Sequence, residues 1–170
     1  QIFDIVQNRG TKEFADIKEV VLRTIDSIEA AAKNQGHVTG VATGFYDLDY
    51  KTAGLQPSDL ILIAARPSMG KTAFALNIAE YVALRSNITT AIFSLEMSKD
   101  QLVKRLLAMN ARVDSQKIRT GNLSADEWAS VMESARIIGD SNLIIDDTSA
   151  ISVSELRSKC RKLKIEKNLG

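Results

Sequence analysis

Short apolar runs alternate with longer segments of helical periodicity along most of this 170-residue chain. Three of the runs, at residues 60–65, 90–95 and 142–146, are rich in aliphatic and β-branched side chains, which predicts β-strands. The segments between them repeat apolar residues at steps of three and four, as helices do. Because the crossovers are long enough for parallel pairing, the pattern predicts an α/β domain with a doubly wound parallel sheet.

A further helical pattern precedes this alternation, from Thr11 to about Asn34, and Gly36 is a candidate residue for ending it. One face of this helix carries apolar residues at helical spacing: Phe14, Ile17, Val21, Ile25, Ile28 and Ala32. We therefore divide the chain into a helical segment, residues 1–36, and an α/β part, residues 37–170. Two roles for the apolar face are open: packing on its own domain, or docking on a neighbouring subunit through Phe14, Ile17, Val21 and Ile25.

Serine marks the predicted start of three later helices. In each case a glutamine or glutamate follows three residues on, which is the spacing of a capping box: Ser98 with Gln101, Ser124 with Glu127, and Ser152 with Glu155. The second of these helices carries Trp128 among its apolar residues. We expect Trp128 to be a core anchor, with a base-stacking platform as the alternative.

Composition narrows the class of protein. The 45% apolar and 25% charged residues are typical of globular domains, and the formal net charge of +1 gives no bulk attraction to nucleic acid or to a membrane surface. Cys160 is the only cysteine, so an internal disulfide is excluded. No apolar run approaches the roughly 18 residues of a membrane span and no signal peptide is present, so the cytosol is the expected compartment.

The stretch at 65–72, Ala-Arg-Pro-Ser-Met-Gly-Lys-Thr, lies between the first predicted strand and a helical pattern. A strand, a loop ending in Gly-Lys-Thr and a helix form a phosphate-binding loop, in which backbone N–H groups and the helix dipole attract an anion. Lys71 can contact the β/γ-phosphates, Thr72 can coordinate Mg²⁺, and Gly70 lets a phosphate approach the backbone. The usual first glycine is Ala65 here, so this position must adopt a conformation open to a residue with a Cβ.

Two acidic residues are candidates for the chemical step, in which a carboxylate orients or deprotonates a water in line with the γ-phosphate. Glu96 ends the second predicted strand, and Asp146, followed by Asp147, ends the third. The carboxyl ends of parallel strands form the ligand edge of such a sheet, so both lie where the chemistry is expected. Spacing alone does not separate them, and Asp146 stays open as a Mg²⁺ ligand.

The 65–72 stretch, together with Phe-Ser-Leu-Glu-Met-Ser at 93–98, resembles the replicative hexameric DNA helicases of the DnaB family. Three further features extend the resemblance over nearly the whole chain: Thr-Gly-Phe at 43–45 with Leu48 and Asp49, Ile-Ile-Asp-Asp-Thr at 144–148, and an N-terminal helix similar to the family's linker helix. The resemblance implies a RecA-like motor with ATP and Mg²⁺ as cofactors. It implies that Glu96 is the catalytic carboxylate that polarises the attacking water, and that Asp146 is not the Mg²⁺ ligand.

The resemblance also implies a set of nucleotide contacts, with Thr72 as the ligand of Mg²⁺: Ser68, Met69, Gly70, Lys71, Thr72, Ala73 and Arg105. It implies a homohexamer that acts on single-stranded DNA at replication forks, with a helicase loader and primase as further partners and no membrane. The linker helix would dock on the adjacent subunit.

Both ends of the chain look cut, at Gln1 and after Gly170. In the family, the Mg²⁺-binding aspartate, most of the DNA-contacting loops and the arginine finger lie beyond that second point. On this interpretation the sheet is truncated, and the 170-residue chain alone hydrolyses ATP poorly or not at all. Two other functions stay open: a RecA-like recombinase or clock-type ATPase, and a non-catalytic fragment that binds a nucleotide or a partner.

Overall fold

A computed structural model of the protein describes residues 16–33 and 38–170, which separate into two compact units, one ending at Thr39 and one spanning Gly40–Gly170. The first unit contains helix α1 (Ile17–Lys33), which confirms the helical pattern over those residues. At its start the Asp16 carboxylate accepts a hydrogen bond of 3.0 Å from the Lys18 backbone N–H. Phe14 and Gly36 lie outside the described residues.

The second unit alternates helices with two short strands. Its elements, in chain order, are α2 (Tyr46–Thr52), α3 (Lys71–Leu84), β1 (Thr90–Phe93), α4 (Lys99–Ala111), α5 (Ser115–Thr120), α6 (Ala125–Gly139), β2 (Leu143–Asp146) and α7 (Val153–Lys167). An isolated antiparallel bridge joins Val41 to Leu55 ahead of the first core helix.

The two strands pair in parallel, with Thr90 opposite Leu143 and Phe93 opposite Asp146. The ladder continues one residue further, since the Ser94 N–H donates to the Asp146 carbonyl oxygen at 2.8 Å. Strands β1 and β2 therefore end side by side, and the loops that follow them start at the same edge. Two of the three predicted strands and their parallel pairing are thus confirmed, with shorter bounds.

The strand predicted at 60–65 is wrong. These residues have no regular secondary structure, and the sheet in the described part of the chain contains β1 and β2 alone. Leu60 and Leu62 are 86% and 84% exposed. A strand needs a neighbour that takes up its backbone N–H and C=O groups, and an apolar run without such a neighbour does not form one.

The core forms where α3 and α4 meet the sheet. Its buried centre consists of Leu76 from α3 and of Leu102 and Leu106 from α4, two residues that share a helix face because they are one turn apart. Partly buried apolar side chains surround this centre: Ile92, Met97, Met109, Ile138, Leu143 and Ile145. This packing fixes the start of α3 relative to the end of β1, which are the two places that carry the motifs.

Trp128 is not the core anchor that its apolar neighbours predicted. Its side chain is 56% exposed, as is that of Met132 one turn later. Helix α6 buries Val131 and Ser134 instead. The apolar stripe of α6 is wider than the face it buries, so the residue at its edge stays in solvent.

All three predicted capping boxes form. The hydroxyls of Ser98, Ser124 and Ser152 accept the backbone N–H three residues on at 3.2 to 3.3 Å, and each returning side chain accepts the serine N–H. Each box satisfies two N–H groups that the first helical turn leaves without a partner. Helix α4 therefore has a fixed start at Lys99, three residues after Glu96.

The Thr-Gly-Phe segment forms a tight structure on the outside of α3. The buried Asp49 carboxylate accepts hydrogen bonds from the Thr43 N–H at 2.8 Å, the Thr43 hydroxyl at 2.7 Å and the Gly44 N–H at 3.1 Å. This network places Phe45 against Phe74 in the first turn of α3, with ring centroids 4.9 Å apart. Asp49 thus anchors the segment that packs on the helix following the candidate phosphate loop.

Candidate nucleotide-binding site

The loop before α3 has the backbone geometry of a tight turn that opens into a helix. The Met69 N–H donates to the Arg66 carbonyl oxygen at 3.3 Å, and φ is positive at Ser68 (65°) and Gly70 (87°). Gly70 fits its position because a residue without a Cβ adopts this left-handed conformation at low cost. Ala65 is not among the positive-φ residues, so its Cβ imposes no strain there, as its place in the motif required.

The start of α3 is suited to an anion. The helix begins at Lys71, Gly70 supplies no side-chain cap, and no acidic residue lies in the first turn. The first N–H groups of a helix have no partner within the helix, and they carry the positive end of its dipole. With no carboxylate to satisfy them, these N–H groups form an open anion site beside the Lys71 ammonium and the Thr72 hydroxyl.

A cavity of about 450 Å³ brings the two motifs together. Lys71 and Thr72 line it from α3, and Glu96 lines it from the loop after β1. Apolar side chains, among them Ile61 and Ile63, complete its wall. The structure therefore places a cation, a hydroxyl and a carboxylate around one space, which is the donor and acceptor set that phosphate chemistry uses.

Glu96 lies on a braced segment rather than on a free loop. Ser94 closes a turn around it, since its hydroxyl donates to the Met97 carbonyl oxygen at 2.7 Å and accepts the Met97 N–H at 3.1 Å. The capping box at Ser98 follows at once and opens α4. The turn and the helix start hold Glu96 between them.

The alternative carboxylate, Asp146, is occupied by other partners. Its Oδ1 accepts the Thr148 N–H at 2.9 Å and the Thr148 hydroxyl at 2.6 Å, and its Oδ2 accepts Lys159 Nζ at 2.5 Å. The hydrogen bond from Lys159 and those from Thr148 hold the pKa of Asp146 well below its ordinary value. Both oxygens are engaged, and Asp146 does not line the cavity that Glu96 shares with Lys71.

The structure gathers only some of the predicted nucleotide contacts around this cavity. Lys71 and Thr72 line it, while Ser68, Met69 and Gly70 form the exposed loop that precedes them and Ala73 follows on α3. Arg105 is exposed on α4 and does not line the cavity. Its place near a nucleotide stays a prediction.

Two residues gain a role that the sequence did not assign: Ser94, and Asp147, which the sequence offered only together with Asp146 as an acidic strand end. Asp147 accepts the Lys99 backbone N–H at 3.0 Å, across the gap between β2 and the start of α4. A signal for it existed, because the ends of neighbouring parallel strands meet at one edge and Asp147 directly follows such an end. The Ser94 turn had no comparable signal, since a serine at a strand end has many possible partners.

A second cavity, of about 800 Å³, lies at the C-terminal ends of α3, α4 and α6. It is larger, and its lining includes Glu80, Asn110 and Arg136, but it contains none of the motif residues. The smaller cavity is therefore the candidate site, because chemistry is decided by the groups present and not by volume.

Solved structures define the class of the domain. The ATPase domain of G40P matches with a TM-score of 0.84 at 34% identity, over 91% of this chain and 54% of that one. A structure of a DnaB-like replicative helicase and its interactions with primase matches with a TM-score of 0.79 at 33% identity, over 97% of this chain and 39% of that one. The fold is that of the RecA-like ATPase domains, as the sequence predicted.

The family follows from the sequence comparisons. Residues 40–170 match the DnaB-like helicase C terminal domain, and the chain belongs to that family. It is 47% identical to the replicative DNA helicase DnaC of Bacillus subtilis (strain 168) over 99% of its length, and 45% identical to the replicative DNA helicase DnaB of Geobacillus stearothermophilus over 100%. The chain spans 37% of the length of each of these two relatives. Within the described residues, no helix has the length and apolar character needed to cross a membrane.

Proposed function

We propose that the protein carrying this chain is an ATP-dependent replicative DNA helicase, which couples nucleotide hydrolysis to translocation on single-stranded DNA and to unwinding of the duplex. The observation that carries the proposal is the single cavity shared by Lys71, Thr72 and Glu96. Membership of the DnaB-like family supports the reaction class, and the two replicative helicases at 47% and 45% identity support the substrate.

Different residues would bind the nucleotide and act on the attacking water. The N–H groups at the start of α3 and the Lys71 ammonium would hold the β- and γ-phosphates of ATP. Glu96, on the far side of the same cavity, would polarise the attacking water and accept its proton. Because the Ser94 turn and the start of α4 hold its backbone, Glu96 would need little reorganisation to reach that water.

Mg²⁺ fits the donor set of this cavity. The Thr72 hydroxyl, which lines the cavity at the start of α3, is a hard oxygen ligand of the kind this ion prefers, and the phosphate oxygens of a bound nucleotide would supply further ligands of that kind. When bound, the ion neutralises charge that develops on the phosphates. Thr72 would hold it, whereas Asp146 is committed to Lys159 and Thr148.

The proposed assembly is a homohexamer in which the α1 helix docks on the adjacent subunit. Ile17, Val21 and Ile25 are 73%, 47% and 46% exposed, which is unusual for three aliphatic residues on one helix face and supports a role in association. Phe14 belongs to the proposed interface and lies outside the described residues. A helicase loader and primase are the further proposed partners, and the proposed place of action is the replication fork in the cytoplasm.

The test uses the full-length protein and its Glu96→Gln variant. The variant keeps the size of the side chain and removes the base, so we expect ATP hydrolysis and fork unwinding to fall by about 10²–10⁴-fold while nucleotide binding persists. Glu133→Gln is the matched control, because Glu133 pairs with Arg136 on the exposed side of α6 and should leave both activities intact.

The outcomes separate the candidate functions. Unwinding that is lost together with hydrolysis in Glu96→Gln, with ATP still bound, supports the helicase and the role of Glu96. A folded parent that hydrolyses ATP but unwinds no fork contradicts the helicase, and strand pairing would then test the recombinase alternative. A parent that binds ATP without hydrolysing it leaves the non-catalytic alternative.

A further inference from the structure

The carboxyl end of β2 is fastened to both ends of the segment that carries Glu96. At one end, the Ser94 N–H donates to the main-chain carbonyl of Asp146 at 2.8 Å. At the other end, the Lys99 N–H donates to Oδ2 of Asp147 at 3.0 Å. Two consecutive residues, Asp146 and Asp147, therefore clamp the 94–99 segment from outside it.

The two contacts differ in how they depend on sequence. The Ser94 contact continues the β1–β2 ladder through the backbone, so side-chain substitution leaves its donor and acceptor in place. The Lys99 contact depends on a carboxylate, because its acceptor is the Asp147 side chain. Lys99 Nζ is 3.8 Å from Oδ1 of Asp147, but its side chain is 64% exposed, so the hydrogen bond to the backbone is the stronger part of the contact.

We propose that Asp147 is a positioning residue for the chemical step, which holds the Glu96 carboxylate in place by fixing the first residue of α4. The proposal rests on the proposed function of Glu96. Lys99 is three residues from Glu96, and the intervening Met97 and Ser98 are each held by hydrogen bonds, so a shift at Lys99 is transmitted to Glu96. Lys71 and Thr72 lie on α3, which Asp147 does not contact through any of these bonds.

This arrangement predicts a specific kinetic signature in the full-length protein. Asp147→Ala removes the acceptor for the Lys99 N–H, and a catalytic group displaced by a fraction of an ångström to about 1 Å loses roughly 10- to 100-fold in kcat. The KM for ATP should stay within about twofold, because the groups that hold the phosphates are untouched. Asp147→Asn keeps an oxygen that can accept the Lys99 N–H, so it should recover most of the lost kcat.

The matched control is a substitution that removes a similar side-chain acceptor from the start of another helix. Asp114 accepts the Gln116 N–H at 2.6 Å at the start of α5, away from Glu96. Asp114→Ala should cost comparable stability in thermal unfolding and leave kcat unchanged. Equal losses of kcat in Asp114→Ala and Asp147→Ala would reduce the effect of Asp147 to general stability and overturn the proposal.

A double-mutant cycle tests whether Asp147 acts through Glu96. In the Glu96→Gln background, Asp147→Ala should reduce the residual hydrolysis no further, whereas independent effects would multiply and overturn the proposal. Wild-type kcat in Asp147→Ala would overturn it as well, as would a failure of Asp147→Asn to recover activity. If Glu96→Gln alone left hydrolysis intact, the proposed role of Glu96 would have failed, and that result is visible before any Asp147 variant is made.

Discussion

Lys159 on α7 and Asp146 at the end of β2 form a hydrogen-bonded ion pair, with Nζ 2.5 Å from Oδ2. Lys159 also donates to the Thr148 hydroxyl at 3.0 Å, which in turn donates to the other oxygen of Asp146. The pair therefore ties α7 and the loop after β2 to the strand itself. Both carboxylate oxygens of an aspartate that looks like a metal ligand in sequence are thus engaged within the fold.

The ion pair predicts a pH-dependent stability. The hydrogen bond from Lys159 lowers the pKa of Asp146 below the ordinary value of 3.8, so the carboxylate stabilises the folded state above that value and loses its contribution as the pH falls further. Asp146→Asn should therefore lower the unfolding midpoint in urea by the same amount at pH 7 and pH 5, and by less at pH 3.5. A difference that grew on acidification would contradict the pairing.

The same geometry predicts how hydrolysis depends on Mg²⁺. Thr72→Ala removes the proposed ligand and should raise the Mg²⁺ concentration for half-maximal hydrolysis by about tenfold or more, while Thr72→Ser keeps the hydroxyl and should stay near the parent value. Asp146→Asn should leave this concentration unchanged. Titration of ATP hydrolysis with Mg²⁺ measures all three, and a shift in Asp146→Asn as large as that in Thr72→Ala would restore Asp146 as a ligand.

Local rules account for the parts of the structure that were predicted correctly. A capping box is decided by residues three apart, and Ser98, Ser124 and Ser152 form theirs as predicted. The phosphate loop is likewise local, since its glycine and its lysine lie at a helix start that the loop itself sets up. The β1–β2 pairing was predictable because each run is flanked by helices, which leaves parallel pairing as the simple solution.

Non-local relations account for the errors. The 60–65 run has the composition of a strand, but a strand forms only when a neighbouring strand pairs with it. No strand in the described part of the chain pairs with this run. Trp128 has apolar neighbours at helical spacing, but tertiary packing decides which side of α6 faces α4. The residues of α6 that are buried are Val131 and Ser134. The sequence left the role of Asp146 open because its partner Lys159 lies 13 residues beyond it on another element.

Substitution of Gly44 should destabilise the fold both through packing and through backbone strain, and the two contributions can be separated. Its φ is +85°, and a Cβ there would lie 2.5 Å from Cδ2 of Tyr81, so Gly44→Ala incurs both left-handed strain and a clash with the ring. Gly121, at the end of α5, has a φ of +75° and nothing within 4 Å, so Gly121→Ala incurs the strain alone. We expect Gly121→Ala to cost about 1–2 kcal/mol and Gly44→Ala about 1–3 kcal/mol more.

Thermal unfolding of both glycine variants measures this difference. A Gly44→Ala variant no less stable than Gly121→Ala would mean that the Tyr81 ring moves aside freely. Tyr81 is 36% exposed, so some movement is available to it. The clash nevertheless involves the Cγ and Cδ2 atoms near the root of the side chain, and Cγ moves only if χ1 rotates away from its preferred rotamer.

The exposed face of α1 predicts an effect on assembly. Ile17 and Ile25 belong to the face proposed to dock on a neighbouring subunit, and burying one such side chain in an interface contributes about 1.5–3 kcal/mol. Ile17→Asp and Ile25→Asp should each weaken subunit association by roughly 10- to 100-fold, and the double variant by more. Mass photometry of the full-length protein over a dilution series measures this effect. The variants should dissociate into smaller assemblies at concentrations at which the parent is still fully assembled.

Ala30→Asp is the matched control for Ile25→Asp, because it introduces the same charge at an exposed position on the opposite face of α1. It should leave assembly unchanged. Circular dichroism and ATP binding verify that each variant is folded, so that loss of assembly is not loss of structure. An unchanged mass for the double variant at the lowest concentrations would remove this face from the interface, and an equal loss in Ala30→Asp would make the effect one of charge.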